Sequence, residues 1–577
     1  MLKLSRFLAP FRGYVALVLV LALVQSVGAL LPPRLMADIV DRGIVRGDQG
    51  MILRIGALML LMSIVATLCA IGGSYFSAKV ATGFGRALRS AVFARASRLS
   101  IHQFDHFGSA SLMTRTTNDT TQVQQVLIML LTMVIVAPMM AAGGVILALS
   151  QDPQLAWILV AVIPVMAVIF IVILRAAVPL STAMQSKIDR LNLVLGEGLS
   201  GVRVIRAFDR GDRQRARFDD ANLDATDTAV AVNRLMAILM PALFLMLNFT
   251  NLAIIWVGSH RIDQGLMPVG VMISSLQYAM SILFSVFMVT AVFVMLPRAT
   301  AAAARLNEVL DLEPEVGDRG GATRSLPAGA RGRIEFDNVS FQYPGAEEPA
   351  VSGVSFLATP GEVTAIIGGT GSGKSTLAGL IPRFYDVNAG RVLLDGVDIR
   401  ELPPHELRSR IGFVPQKAVL FTGTVAGNIR YGREDASDDE VRHAAVVAQA
   451  IDFIDAMPDK FTSLISQGGI NVSGGQKQRL SIARAIVRKP DVYVFDDSFS
   501  ALDFATDARL RAALRQETAN ATVFIVAQRI STVINADRII VLDNGRVAGV
   551  GTHRTLLDSN TVYRDIVASQ VSLEEVA

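Results

Sequence analysis

The sequence predicts two unlike halves: an all-α half of six membrane-crossing helices, then a soluble α/β half around a largely parallel sheet. Three observations carry this. Six apolar stretches, each long enough to cross about 30 Å of hydrocarbon, fall ahead of residue 300. Beyond Arg333, β-like runs such as Val363–Ile367, Val492–Phe495 and Thr522–Val526 alternate with helical ones. The composition mixes 52% hydrophobic residues and a mean hydropathy of +0.46 with 18% charged residues, which suits a membrane part joined to a soluble part. At 577 residues the chain also exceeds what one core usually serves.

The spans are placed at Tyr14–Leu31, Ile55–Tyr75, Val126–Leu149, Leu155–Leu174, Leu235–Val257 and Met267–Leu296. Pro32 and Pro33 are expected to close the first run, although a helix could resume beyond them. A cleaved signal peptide fits this N-terminus less well, because the run is long and a second span follows closely. Upstream, Lys3, Arg6 and Arg12 alternate with Leu4, Phe7, Leu8 and Phe11, the pattern of a short amphipathic helix lying on the membrane surface. The proposed cores of the spans carry no ionisable group, which argues against a proton relay there. Asn248 and Asn251 are the most polar residues of span five, suited to inter-helix hydrogen bonds or to substrate. Met236, Met240, Met246, Met272, Met280, Met288 and Met295 give spans five and six adaptable surfaces, for helix packing before a substrate cavity. Cys69, the sole cysteine, lies in an apolar run, so no disulfide within the chain and no cysteine zinc site is available.

The links between spans differ in length and in charge. Those joining spans two to three and four to five are long, polar and helical in pattern. They carry sixteen Lys and Arg, from Lys79 to Arg115 and from Arg175 to Arg234. The short links carry few, Arg42, Arg46, Arg54 and Arg261 among them. Positive charge marks the cytoplasmic side, so the long links and both termini are expected there. The net charge of +4 and pI of about 9.2 follow this topology, and no nucleic-acid partner is called for.

In the soluble half, Val363–Ile367 leads into Gly368-Gly369-Thr370-Gly371-Ser372-Gly373-Lys374-Ser375, with Thr376 next and a helical pattern after it. Strand, glycine-rich turn and helix make a P-loop. Its backbone N–H groups point at phosphate oxygens, Lys374 supplies a point charge to the β/γ-phosphates, and Ser375 offers a hydroxyl to Mg²⁺. The fold class is therefore an all-α six-helix transmembrane domain over 1–310, a Gly-rich flexible linker over 311–332 and an α/β P-loop nucleotide-binding domain over 333–577.

The motif alone does not say which NTPase. Asn471-Val472-Ser473-Gly474-Gly475-Gln476, followed by Lys477-Gln478-Arg479, resembles the signature of ATP-binding-cassette proteins; the same residues also read as a helix N-terminus capped by Ser473. In that family the capped terminus binds phosphate, so the two readings coincide. The resemblance then covers nearly the whole chain. Tyr343 looks like the aromatic that stacks on adenine. Gln416 resembles the glutamine that contacts Mg²⁺ and the attacking water, and Asp496 resembles the Walker B aspartate holding Mg²⁺ through water. Ser500-Ala501-Leu502-Asp503 looks like the D-loop. Phe104-Asp105-His106-Phe107-Gly108, with Arg115, Asn118 and Asp119, resembles the first cytoplasmic coupling segment of exporter-type half-transporters, and Gly201–Phe208 the second. This resemblance implies ATP and Mg²⁺ as cofactors and a dimer in which each ATP lies between one chain's P-loop and the other's signature. It also implies a small hydrophobic or amphipathic substrate, contact with membrane lipid, and a multi-pass protein of the bacterial inner membrane with its nucleotide-binding domain in the cytoplasm.

Three positions depart from the family pattern. A glutamate usually follows the Walker B aspartate; here Asp497 stands, one methylene shorter, its carboxylate drawn back by about 1.5 Å. A histidine usually lies near the γ-phosphate; here Gln528 does, which donates a hydrogen bond but carries no switchable charge. Gln467 replaces a usual acidic residue before the signature. The first two, beside an intact P-loop and signature, resemble the subunit of a heterodimeric exporter that contributes a degenerate ATP site. Such a chain would lend Ser473, Gly474, Gly475 and Gln476 to a second site, whose P-loop and catalytic glutamate come from a different half-transporter. A slow homodimer with Asp497 as base is the simpler alternative at the site. At the level of function, the alternatives are an importer of exporter-like fold, for a chelate such as a siderophore, and a non-transporting ATP-binding regulator.

Overall fold

The computed structural model describes residues 2–316 and 324–570. The chain forms two compact units, Met1–Ala96 with Ala110–Leu312, and Ser97–Ser109 with Glu313–Ala577.

The first unit is entirely helical. Its rods are α1 (Arg12–Asp38), α2 (Gln49–Ala96), a composite rod over Ser109–Gln151, α7 (Pro153–Ser200), α9 (Gly211–Asp263) and α10 (Val269–Asp311). The short α3 (Ile101–Phe107) precedes the composite rod, which contains α4 (Ser109–Thr114), α5 (Thr120–Met129) and α6 (Val136–Gln151). A further short helix, α8 (Val202–Ala207), joins α7 to α9. Among the described residues, six helices are long and apolar enough to cross a membrane, and each contains one of the expected spans or most of it. The long links prove to be the same helices continued. At about 1.5 Å per residue, the 53 residues of α9 reach about 80 Å, more than twice the hydrocarbon thickness.

The prolines do not stop these helices. Contrary to expectation, α1 runs through Pro32 and Pro33 to Asp38 and a π-turn at Ile39–Ile44; Pro164, Pro179, Pro241 and Pro297 also lie inside helices. Each forfeits one N–H, but in hydrocarbon any other backbone conformation would strand more polar groups. The N-terminal segment Leu2–Phe11 is a 3₁₀ helix, with Leu4 buried and Leu8 and Phe11 packed among Val18, Phe76 and Val80. Leu155, Leu159, Met166, Leu243, Ile254 and Tyr278 form the middle of the unit's core. Met246 and Met272 pack against this core, whereas Met240 and Met280 face outward. Asn251 finds no hydrogen-bond partner for its buried Oδ1 among the described residues, so the expected inter-helix bond is absent there.

Two π-turns interrupt the composite rod, at Arg115–Asp119 and Leu130–Val134. The first sits where the rod meets α10 in a reciprocal charge clamp. The guanidinium of Arg305 donates to both oxygens of the fully buried Asp119, at 2.8 and 2.5 Å. In return Arg115 donates to Glu308 at 2.6 Å and to the Arg305 carbonyl at 2.7 Å. Lys3 pairs with Asp311, the last residue of α10, at 2.6 Å.

The second unit holds three sheets, built from β1 (Ile334–Phe341), β2 (Val351–Ala358), β3 (Val363–Gly368), β4 (Ala389–Leu394), β5 (Val397–Asp398), β6 (Ile411–Val414), β7 (Gly423–Thr424), β8 (Leu464–Ile465), β9 (Val492–Asp496), β10 (Thr522–Val526), β11 (Arg538–Asp543) and β12 (Arg546–Gly551). The main sheet has the order β12-β11-β3-β10-β9-β6 and is parallel except at β12. Strands β9 and β10 are buried throughout, as continuous apolar runs demand when both faces are covered. A four-stranded antiparallel sheet, β2-β1-β4-β5, and the β7-β8 pair complete the set. The short α3 belongs to this unit: Ser100 caps it and bonds Glu315 at 3.0 Å, and Gln103 Nε2 donates to the Glu313 carbonyl at 2.9 Å. Part of the expected flexible run, residues 317–323, lies outside the described residues. Its described end is not loose, because the N–H groups of Arg331, Gly332 and Arg333 all donate to the Asp395 carboxylate.

The clamp predicts an asymmetry in stability. Arg305→Ala strands a buried carboxylate and should cost about 3 kcal/mol. Asp119→Ala leaves a guanidinium already 46% exposed, which hydrates, so its cost should be smaller. Thermal unfolding of the two purified variants checks the order, and a lower midpoint for Asp119→Ala would contradict it.

Candidate functional site

The C-terminal ends of the parallel strands gather the predicted chemistry, the usual place for ligands in open α/β sheets. The P-loop follows β3 and opens the helix Lys374–Leu380. Two backbone positions require glycine. Gly373 has a φ of +94°, and a side chain there would strike the Ala350 carbonyl; one at Gly368 would strike the Leu542 carbonyl. Gly371, at φ +82°, also turns the backbone left-handed, while Gly369 and Thr370 stay exposed at the loop's tip. Lys374 is buried and curls into the loop, its Nζ donating to the carbonyls of Gly368 at 2.9 Å and Gly369 at 2.6 Å, with Ser372 Oγ at 3.4 Å. Burial lowers its pKa, and Asp497 and Asp496 oppose that shift.

At the end of the loop, Ser375 Oγ donates to Asp496 Oδ1 at 2.9 Å. Asp496 is itself buried, and that burial raises its pKa. Two hard oxygen donors brought together beside a phosphate-binding turn fit Mg²⁺ with ATP phosphates. Tyr343 meets Thr376 through their hydroxyls at 3.1 Å.

The register β9–β10 aligns Asp496 with Val526, so the residues after both strand ends meet. Asp497 takes a φ of +46°, and its N–H donates to the Val526 carbonyl at 3.0 Å. One carboxylate oxygen, Oδ2, accepts from Gln528 Nε2 at 3.2 Å and from Gln416 Nε2 at 3.3 Å. Burial raises the Asp497 pKa; the Gln416 hydrogen bond, Lys374, Arg529 and Ser500 partly counter it.

The signature lies elsewhere. Ser473 caps the helix Gly474–Val487 in a capping box with Gln476, at 3.3 and 2.9 Å. Nothing lies within 4 Å of a side chain built at Gly474, and Gly475 packs on the Ala501 carbonyl. Among the described residues, no hydrogen bond joins this capped terminus to the P-loop. Asp503 caps the helix Phe504–Glu517 through the Thr506 N–H at 2.9 Å, and its bonds to Thr506 lower its pKa. Gln467 is exposed in the turn ahead of the signature.

Two neighbours escaped the sequence reading. Tyr385 packs edge-on against Tyr343, with ring centres 5.4 Å apart, and its pKa is pushed up to about 12, mainly by burial, with Tyr343 and Asp105 adding to it. Gln478 ties the signature helix to the Pro415 carbonyl at 3.4 Å, one residue from Gln416. An aromatic following Phe384, and a polar residue on a buried helix face, were the available signals.

Comparison with known proteins shows the family of the chain. Residues 15–287 match the ABC transporter transmembrane region and residues 351–500 match the ABC transporter family. The chain is 43% identical to an uncharacterised ABC transporter ATP-binding protein of Mycobacterium tuberculosis, over 98% of its own length and 97% of the relative's. This chain belongs to the ABC transporters. It is also 34% identical to the ATP-dependent lipid A-core flippase of Chromobacterium violaceum, over 98% and 97% of the two chains. The solved structure of a bacterial Atm1-family ABC exporter with ATP bound superposes on it with a TM-score of 0.83 at 26% identity, covering 97% of this chain and 99% of that one. The transporter therefore has the exporter fold, with membrane and ATP-binding domains on one chain.

Its site predicts a displaced acid limb. Were Asp497 the group that takes the proton of the attacking water, it would do so only when ionised, and burial raises the pH at which it ionises. The acid limb of kcat/KM for ATP should therefore lie above the value of about 3.9 for an exposed aspartate. Rate profiles between about pH 4 and 8 check this, and full kcat/KM retained down to about pH 4 would contradict it.

Proposed function

We propose that this transporter exports a hydrophobic or amphipathic compound as one half of a heterodimer, and that the ATP site on its own P-loop is the weak one. The observation that carries the proposal is the state of Asp497. At the place where a water must be activated, a shortened carboxylate shares one oxygen between two neutral amides, Gln416 and Gln528. Neither amide changes charge, and proton abstraction tolerates heavy-atom separations of only about 2.6–3.2 Å.

Bound ATP and Mg²⁺ would supply a phosphoanhydride bond and a divalent charge on its oxygens. This chain's residues would do the rest. The turn from Gly368 to Gly373 would cradle phosphates with its N–H groups, and Lys374 would leave the loop carbonyls for phosphate oxygens. Ser375 and Asp496 would hold the metal, Asp496 through water, with Gln416 beside it. Tyr343 would stack on adenine. Phosphoryl transfer depends on positioned charge, so such a site would bind ATP well and turn it over slowly.

Pairing with a second chain is supported by two surfaces. The exposed, capped terminus at Ser473 is suited to phosphate from another P-loop. At the far tip of α7 and α9, α8 has no buried residue, and Leu199, Val204 and Phe208 stand 69%, 61% and 72% exposed around it. An apolar tip on a charged hairpin asks for a cover, and a partner's nucleotide-binding domain supplies one. A substrate of apolar character is supported by a cavity of about 410 Å³ among Ala137, Ala141, Ile163, Phe170 and Ser285, and by the flippase likeness. Bacterial relatives support an inner-membrane location, with the ATP-binding domain in the cytoplasm.

The purified lone chain tests this. It should bind ATP with slow turnover, and Asp497→Glu, with Gln528→His, should raise kcat by about a hundredfold, the lower range for a restored general base. Fast turnover by the unaltered chain, or no gain in the double variant, would overturn the weak-site reading.

A further inference from the structure

We infer that Gln570, near the C-terminal end of the chain, is a positioning residue for the nucleotide site: its side-chain amide clamps the loop that carries Gln528. The inference rests on assigning Asp497 and Gln528 to the reacting end of the nucleotide. The loop begins where β10 ends at Val526, so the Gln528 carbonyl lies beyond the sheet's ladder. Ile530 opens the short helix Ile530–Val533, and the first N–H groups of a helix have no partner within it. Gln570 meets both needs at once. Its Nε2 donates to the Gln528 carbonyl at 2.7 Å, and its Oε1 accepts from the Ile530 N–H at 2.9 Å. A backbone carbonyl and an N–H two residues apart face the same side, as on a strand edge, and one amide satisfies them as an added peptide would.

The residue between them is held from the other direction. Arg529 donates to the Ser500 carbonyl at 3.2 Å, and its guanidinium lies over the Phe504 ring, 5.6 Å from the centre. With the backbone gripped on both sides, the Gln528 side chain reaches Asp497 at 3.2 Å. The clamp has a firm base. Gln570 follows the helix Thr561–Ala568, which Asn560 caps and which buries Tyr563 and Val567; the Tyr563 hydroxyl bonds His553 Nδ1 at 2.7 Å. The path runs from this helix through Gln570 to the Gln528 backbone, and from its side chain to the Asp497 carboxylate. Gln570 touches no reacting group itself.

Hydrogen–deuterium exchange on the full nucleotide-free chain reads the clamp directly. In Gln570→Ala the Ile530 amide should lose protection by about tenfold, with β9 and β10 unchanged. Gln570→Glu keeps the acceptor and loses the donor, so Ile530 should stay protected. With ATP and Mg²⁺ added, both variants should lower kcat about three- to tenfold and leave KM within about twofold. On a Gln528→Ala background, Gln570→Ala should add nothing. Unchanged protection at Ile530 would overturn the clamp; additive losses with Gln528→Ala, or an unchanged kcat, would overturn the positioning role. Failure of the wild-type chain to bind ATP would show separately, and would remove the assigned site rather than the clamp.

Discussion

Hydrocarbon offers no partner to a peptide N–H or carbonyl, and the first unit is organised by that demand. Each segment that enters the bilayer must satisfy its backbone within itself, so only long uninterrupted helices serve. The same demand explains why α1 tolerates two adjacent prolines and why the charged links stay helical far beyond the apolar spans. Charge is then kept outside the apolar spans, on the polar continuations of the rods. There Asp119, sealed from solvent, takes both hydrogen bonds of Arg305, and Arg115 answers with Glu308. The π-turn at Arg115–Asp119 falls at this junction, the kind of irregularity often found at functional sites. Three ionisable residues of the last turns of α10, Arg305, Glu308 and Asp311, are thus held just before the chain passes into the second unit.

In the second unit the matching constraint is burial of the sheet on both faces. It aligns the ends of β3, β9 and β10 and so brings together the P-loop, Asp496–Asp497 and Gln528. Chemistry there is set by which groups can change charge. Lys374 and Asp496 bring groups of opposite charge together beside a turn of left-handed glycines. At the adjacent position a shorter acid, Asp497, sits between two neutral amides, Gln416 and Gln528, which hold its orientation without changing charge. The signature helix is capped by Ser473 and, among the described residues, makes no hydrogen bond from that terminus to its own P-loop.

The sequence made the membrane half legible because apolar length is a physical requirement of a bilayer. It also displayed the P-loop and the signature cap at Ser473, since glycine at positive φ and helix capping leave local marks, whereas Asp497 and Gln528 stood out only as departures from the family pattern. Helix continuity through Pro32–Pro33 was not legible, because a proline's local cost is visible in sequence and the bilayer's compensating demand is not. The anchoring of Arg331–Arg333 on Asp395 was hidden for a similar reason: a Gly-rich run looks loose until a distant carboxylate gathers its N–H groups. Tyr385, Gln478 and Gln570 act through contacts distant in sequence, and nothing in their immediate neighbours announces them.

The account stands or falls on whether this chain pairs with an unlike one. The most direct measurement is the intact mass of the complex captured from its native membrane through a tag on this chain, followed by sequencing of its components. The account predicts a two-chain assembly containing one 61.9 kDa copy of this chain and one different half-transporter, the latter with glutamate after its Walker B aspartate. A transport-active dimer containing two copies of this chain and nothing else would contradict it.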